Sequence, residues 1–278
     1  MQEMLDQLYA QYNRREFVHP DPLEFLYDYK DIRDREIAGL VASSLAYGRV
    51  AQILKSVSSL LERMPFPADF LHRASLESLL ETFGDFRHRF TTGKDVSMML
   101  FGTKSVIEQY GSLYQCFTAC LNDDDDTILP ALSAFVDKLT AGSDGCRNSL
   151  LPLPKKGSAC KRLNLFLRWM VRRDDVDPGG WNGVPASKLI IPLDTHMHRI
   201  SLGLGLTKRR QPDMRTAKEI TAAFRTIVCD DPVKYDFALT RIGIREETDI
   251  GDFLRSARNL TTFPGELHTF GSKSHYAI

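Results

Sequence analysis

The chain has 278 residues, 43% of them hydrophobic, with Lys+Arg and Asp+Glu balanced at 36 each. That length suits one large domain or two lobes. Charge balance excludes a wholly basic nucleic-acid binder but leaves room for a local basic face. The five cysteines (Cys116, Cys120, Cys146, Cys160 and Cys229) are scattered and form no CxxC pair. This argues against an iron–sulfur cluster or structural zinc and for reduced cytosolic thiols. The opening residues lack a basic stretch followed by an apolar core, so no signal peptide is expected. No apolar run approaches the roughly 20 residues of a membrane span.

Leu5, Leu8, Tyr9 and Tyr12 recur at helical spacing and predict a first helix, broken by His19-Pro20-Asp21-Pro22. Residues 31–64 read as one helix or two, with an apolar face from Ile37 to Leu45 that resumes at Ile53 beyond Gly48. Further helices are expected at 71–83, 95–110, 112–121 and 132–139. Asp123 to Asp126 reads as a solvated loop that could cap a helix beginning at Thr127, and a divalent-metal site is the minority reading. After a loop at 141–145 and a proline-rich turn at 150–157, a helix is expected over 159–172. Residues 173–187 form a glycine-rich loop long enough to suspect a role. Helices follow at about 194–202, 216–228 and 232–242, the tail after Leu260 is less regular, and Leu189-Ile190-Ile191 is the one strand-like run. An all-α fold follows, since no strand–helix alternation is present.

Two stretches carry chemistry: Gly157-Ser158-Ala159-Cys160-Lys161-Arg162 and Pro192-Leu193-Asp194-Thr195-His196. The first is a glycine turn opening onto a helix, where backbone N–H groups and the helix dipole attract a phosphate, and Lys155 and Lys156 add charge. Lys161 falls in the first helical turn, where the dipole disfavours an ammonium; only a neutral amine attacks carbon. Asp194 is a good N-cap, and a carboxylate there can stabilise a developing oxocarbenium cation. Arg199 follows one turn later. His196 and His198, two apart, point to different helix faces and make a poor metal pair.

These runs resemble the helix–hairpin–helix DNA glycosylase superfamily. Asp194, Thr195, His196, Arg199 and Leu204-Gly205-Leu206 match its aspartate-headed helix, and Lys161 matches its lysine. The long interval between Lys161 and Asp194 resembles the archaeal 8-oxoguanine branch more than the endonuclease III branch. Where the superfamily has Leu-Pro-Gly-Val-Gly, this chain has Leu151-Pro152-Leu153-Pro154-Lys155-Lys156-Gly157. The whole chain also resembles an uncharacterised bacterial family of unknown function, on the runs Asp34–Leu40, Leu167–Arg172 and Lys234–Leu239. The glycosylase resemblance covers mainly residues 150–206.

The resemblance implies a two-lobed fold with a cleft between the lobes. Residues of about 31–172 would form a central lobe ending in the hairpin, and about 1–30 with 190–278 a second lobe. It implies base-excision repair of a damaged purine such as 8-oxoguanine, with Lys161 forming a Schiff base and Asp194 stabilising the sugar cation. Phosphate contacts would come from Lys155, Lys156, Gly157, Ser158, Arg199, Lys208 and Arg209. No cofactor is called for; the partner would be duplex DNA, and the protein a cytoplasmic, nucleoid-associated monomer.

Gln52, Trp169 and Trp181 are the base-pocket candidates: glutamine to read a base edge, tryptophans to stack on an extruded base. For Gln52 a surface position and for Trp169 a core position are the plainer readings. Phe86-Arg87-His88-Arg89-Phe90 interleaves basic and aromatic residues, which core packing explains more simply than nucleic-acid contact. The competing function is a non-catalytic helix–hairpin–helix nucleic-acid binder, in which Lys161 meets a phosphate; action on a modified RNA base ranks third.

Overall fold

The computed structural model describes residues 1–142 and 148–242, and within them the chain is almost entirely helical. The N-terminal helix α1 (Gln2–Tyr12) buries Leu5, Leu8 and Tyr12 along one face. The proline-rich break then leads into a 3₁₀ segment, Pro22–Asp28, opened by Asp21, whose carboxylate accepts the Leu23 N–H. Residues 31–64 divide into two helices, α2 (Ile32–Ser44) and α3 (Val50–Leu61). Asp31 caps α2, and every residue from Glu36 to Ser44 is buried. A helix without a solvent face is a central one: α2 packs on the 3₁₀ segment, on α4 (Pro67–Arg73), and most extensively on α9 (Lys161–Val171).

Helices α5 (Leu76–Phe83) and α6 (Gly93–Tyr110) pack together, joined by an antiparallel ribbon of β1 (Arg87–His88) and β2 (Thr91–Thr92). Two-residue strands are too short for alternation to announce. After α7 (Leu113–Thr118) comes α8 (Leu129–Leu139), whose N-cap position is Ile128. The acidic run 123–126 therefore does not cap it. Those residues form a turn, and the Asn122 and Asp123 carbonyls accept from Lys188 Nζ.

Beyond α9 the chain runs to α10 (Thr195–Gly203), α11 (Met214–Arg225) and α12 (Asp236–Ile242), with α12 packed on both α1 and α10. Leu189–Ile191 pairs in no sheet; it is a buried connection whose Ile191 N–H donates to Thr221 Oγ1 at 3.0 Å. The glycine-rich loop 173–187 proves to be a seal on the core. Gly179 and Trp181 donate their N–H groups to the carbonyls of Trp169 and Met170, extending α9's last turn into the loop. Residues 243–278, including the irregular tail, and part of the 141–145 loop with Cys146 lie outside the described residues. Among the described residues no helix is long and apolar enough to cross a membrane.

A buried ion cluster joins these elements. Arg168 and Arg172, on α9, pair with Asp177 of the loop; Arg168 also pairs with Asp236 of α12, and Arg172 with Asp174 and Asp231. Burial opposes the charge on both arginines, yet the surrounding carboxylates more than offset it and hold both guanidinium groups above their ordinary pKa. Asp236 is pushed up to about 6, chiefly by burial, against the pull of Arg168.

Candidate active site

The site begins with the turn that precedes α9. Pro154–Lys156 form a 3₁₀ turn closed by Gly157 in the left-handed region (φ 81°), donating its N–H to the Pro154 carbonyl. Cys160, also left-handed (φ 48°), holds the N-cap position of α9 without a side-chain cap. The Gly157 carbonyl accepts the Met214 N–H at 3.0 Å, and Ser158 bridges Asp213, so the turn is stapled to the start of α11. This delivers Lys161 at the first position of α9.

Asp194 arrives from a distant part of the chain, capping α10. Its Oδ1 accepts the N–H groups of His196 and Met197 at 3.0 and 2.9 Å, which leaves Oδ2 to face Lys161 Nζ at 3.9 Å. Each side chain is 29% exposed, so the pair is partly buried yet open to solvent. Lys161 Nζ also donates to the Ala46 carbonyl at 3.4 Å. Below the pair lies the buried cluster, where the charge of Asp194 is one of the influences raising Asp236.

The segment between α2 and α3 forms a wall that no sequence motif marked. Arg162 donates to the Ser44 and Ser149 carbonyls, and its guanidinium lies 4.9 Å from the centre of the Tyr47 ring. Tyr47 Oη donates to the His88 carbonyl at 2.9 Å and shares a hydrogen bond with Thr91 Oγ1. The His88 ring bonds the Tyr47 carbonyl and Ser56 Oγ, and burial holds its imidazole below the ordinary pKa. Of Tyr47, His88 and Thr91 the sequence singles out only His88, within the run Phe86–Phe90.

The remaining predicted residues divide. Lys156, Gly157, Ser158, Arg199 and Lys208 are exposed. Lys155 pairs with Asp137 at 3.2 Å on the surface. Arg209 is engaged within the protein: it donates to Thr216 Oγ1 and pairs with Asp213. Of the two histidines, His198 is buried and bonds the Arg209 carbonyl, whereas His196 is exposed. Gln52 stands on the exposed side of α3 and donates to Ser56 Oγ at 3.3 Å.

The tryptophans correct the base-pocket expectation. Trp169 and Trp181 are both fully buried, so neither presents a face to a ligand. Trp181 packs among Tyr114, Phe117, Phe135 and Phe166 and donates Nε1 to Glu36 Oε2 at 3.1 Å. An aromatic in a glycine-rich loop seemed available to a substrate on sequence grounds, but the loop folds inward and makes it core. Cavities of about 360 and 560 Å³ open elsewhere, around Phe66 at the end of the α3–α4 connection.

No curated protein and no solved structure matches the chain. A family model matches residues 21–245, which include the hairpin, Lys161, Asp194 and the wall at Tyr47. The chain belongs to the family described as "Protein of unknown function (DUF2400)".

Proposed function

We propose that this protein is a DNA glycosylase with β-lyase activity on a damaged purine, 8-oxoguanine being the first substrate to test. One observation carries the reading: a lysine amine and a carboxylate from distant parts of the chain meet at 3.9 Å, both partly open to solvent and each at the start of a helix. Lys161 gives a proton to the Asp194 carboxylate and attacks the sugar C1′. The glycosidic electron pair leaves with the purine, which takes that proton from Asp194 as it departs, and the carboxylate so restored steadies the oxocarbenium-like state. The C1′ adduct opens to a Schiff base; loss of a C2′ proton and departure of the 3′ phosphate oxygen then cut the strand. The damaged nucleotide reaches the amine by extrusion from the duplex, into a cleft between lobes of about 31–172 and about 1–30 with 190–278. The exposed backbone and lysines of the hairpin meet phosphate, and the enzyme works as a monomer in the cytoplasm.

Borohydride trapping tests this. The full chain, incubated with a duplex carrying 8-oxoguanine and with the reductant present, should give a covalent protein–DNA complex. Lys161→Gln should abolish it while retaining DNA binding; trapping that persists in Lys161→Gln overturns the assignment.

The exposed, basic hairpin also suits a second reading, a nucleic-acid binder without lesion chemistry. There the wild-type chain traps nothing, and Lys161→Gln weakens binding and lowers its salt dependence by about one ion.

A further inference from the structure

We infer that Phe90, at the tip of the β1–β2 ribbon, stacks on a nucleobase of the bound duplex beside the Lys161 site, while Arg49, Arg87 and Arg89 meet the flanking phosphates. This rests on the nucleic-acid reading above. Among the described residues Phe90 is the most exposed of the large apolar side chains, at 80%. Phe86, four residues earlier, is buried and shows where core packing places a phenylalanine of this run.

Rigid mounting separates Phe90 from an incidental surface residue. Tyr47 and His88 lock the ribbon to the segment between α2 and α3 through three hydrogen bonds, and His88 ties it further to Ser56 of α3. Arg89 holds a left-handed backbone (φ 54°), which a non-glycine residue adopts at a cost of about 1 kcal/mol. The stem of Arg89 lies against Gly48, and its guanidinium sits 5.5 Å from the centre of the Phe90 ring and 6.0 Å from that of Tyr47. The segment that anchors this ribbon also supplies the Ala46 carbonyl that holds Lys161 Nζ. An outward-facing ring is thus fixed, through one stretch of backbone, to the proposed nucleophile.

The charge around it selects the partner. Residues 46–52 and 87–92 contain three arginines and no acid. Asp85, just before the ribbon, is already paired with Arg63. Helix α3 begins here with Arg49 at its N-cap position and no side-chain cap, a further favourable surface for phosphate. A protein partner would want a wider apolar patch around the ring. An isolated aromatic beside the Arg89 guanidinium is instead suited to stacking on a base next to its phosphates.

The test uses the full chain and a duplex with 8-oxoguanine and 2-aminopurine at the neighbouring position, read by equilibrium binding and by 2-aminopurine fluorescence. Binding of the wild-type protein should change the fluorescence. Phe90→Ala should lose that change and bind about 5- to 150-fold more weakly, the span expected for one base–aromatic stack. Phe90→Trp should restore both. Equal affinity and an unchanged fluorescence response in Phe90→Ala overturn the inference. Borohydride trapping by the wild-type chain on the same duplex reads the glycosylase proposal separately: trapping together with an indifferent Phe90→Ala sinks this inference alone, and absence of any DNA binding sinks both.

Discussion

Asp194 serves two ends with its two oxygens, and the roles can be separated. Oδ1 satisfies two N–H groups at the start of α10, while Oδ2 faces Lys161. Asp194→Asn keeps an acceptor for the cap and removes the charge, so urea unfolding should change by less than about 1 kcal/mol while borohydride trapping falls to background. Asp194→Ala should lose both, with about 1 kcal/mol of stability gone. A fully active Asp194→Asn would leave the carboxylate as a cap only. Lys161 and Asp194 were legible as single residues because helix starts have a local chemical signature. Their partners were not: Ala46 and Tyr47 meet Lys161 and Arg162 only once α9 lies along α2.

At the scale of elements, two glycines predict losses of different size. Gly157 ends the hairpin turn in the left-handed region, and no heavy atom lies within 4 Å of where a Cβ would stand. Gly157→Ala should therefore carry only the backbone cost, about 1 kcal/mol, by thermal or urea unfolding. Gly102 of α6 has an ordinary helical backbone, but a Cβ there would lie 1.9 Å from the Leu139 carbonyl at the end of α8. Gly102→Ala should force α6 and α8 apart and cost several times as much, within the roughly 1–3 kcal/mol or more typical of overpacking. A smaller effect at Gly102 than at Gly157 would contradict this packing. The contrast shows which links are readable: Gly157 stands out by its proline- and lysine-rich turn, whereas Gly102 sits in a run that reads as ordinary helix. The same limit hid the ribbon at 87–92, too short for periodicity, and the inward fold of loop 173–187.

Across the whole molecule, Glu36 ties three regions together. Buried on α2, it accepts the N–H groups of Leu113 and Tyr114 at the start of α7 and Nε1 of Trp181. Burial nonetheless pushes its carboxyl up to about 7 from 4.5, with the three donors opposing. A carboxyl raised in the folded state keeps its proton after the unfolded chain has lost it. Its contribution to stability therefore falls as pH rises from about 4.5 to about 7, and levels above that. Asp236, raised to about 6, acts in the same direction. Glu36→Gln keeps one accepting oxygen but turns an NH2 towards a donor that the other oxygen served, so it should destabilise by about 1–3 kcal/mol. It should also flatten this part of the profile, so that its deficit against the wild type narrows as pH rises; a deficit constant with pH in urea unfolding would refute the shifted titration. Residue order alone settled the helical class, most helix positions, the glycine turn before α9 and the standing of Lys161 and Asp194 at helix starts, because caps, breakers and a 3.6-residue period are local properties. The 3.9 Å approach of Lys161 to Asp194, the wall built by Tyr47 and His88, the sealing of both tryptophans and the exposure of Phe90 were decided only in three dimensions. Burial and pairing depend on which distant surfaces meet, and helical periodicity says which face is apolar without saying what it will cover.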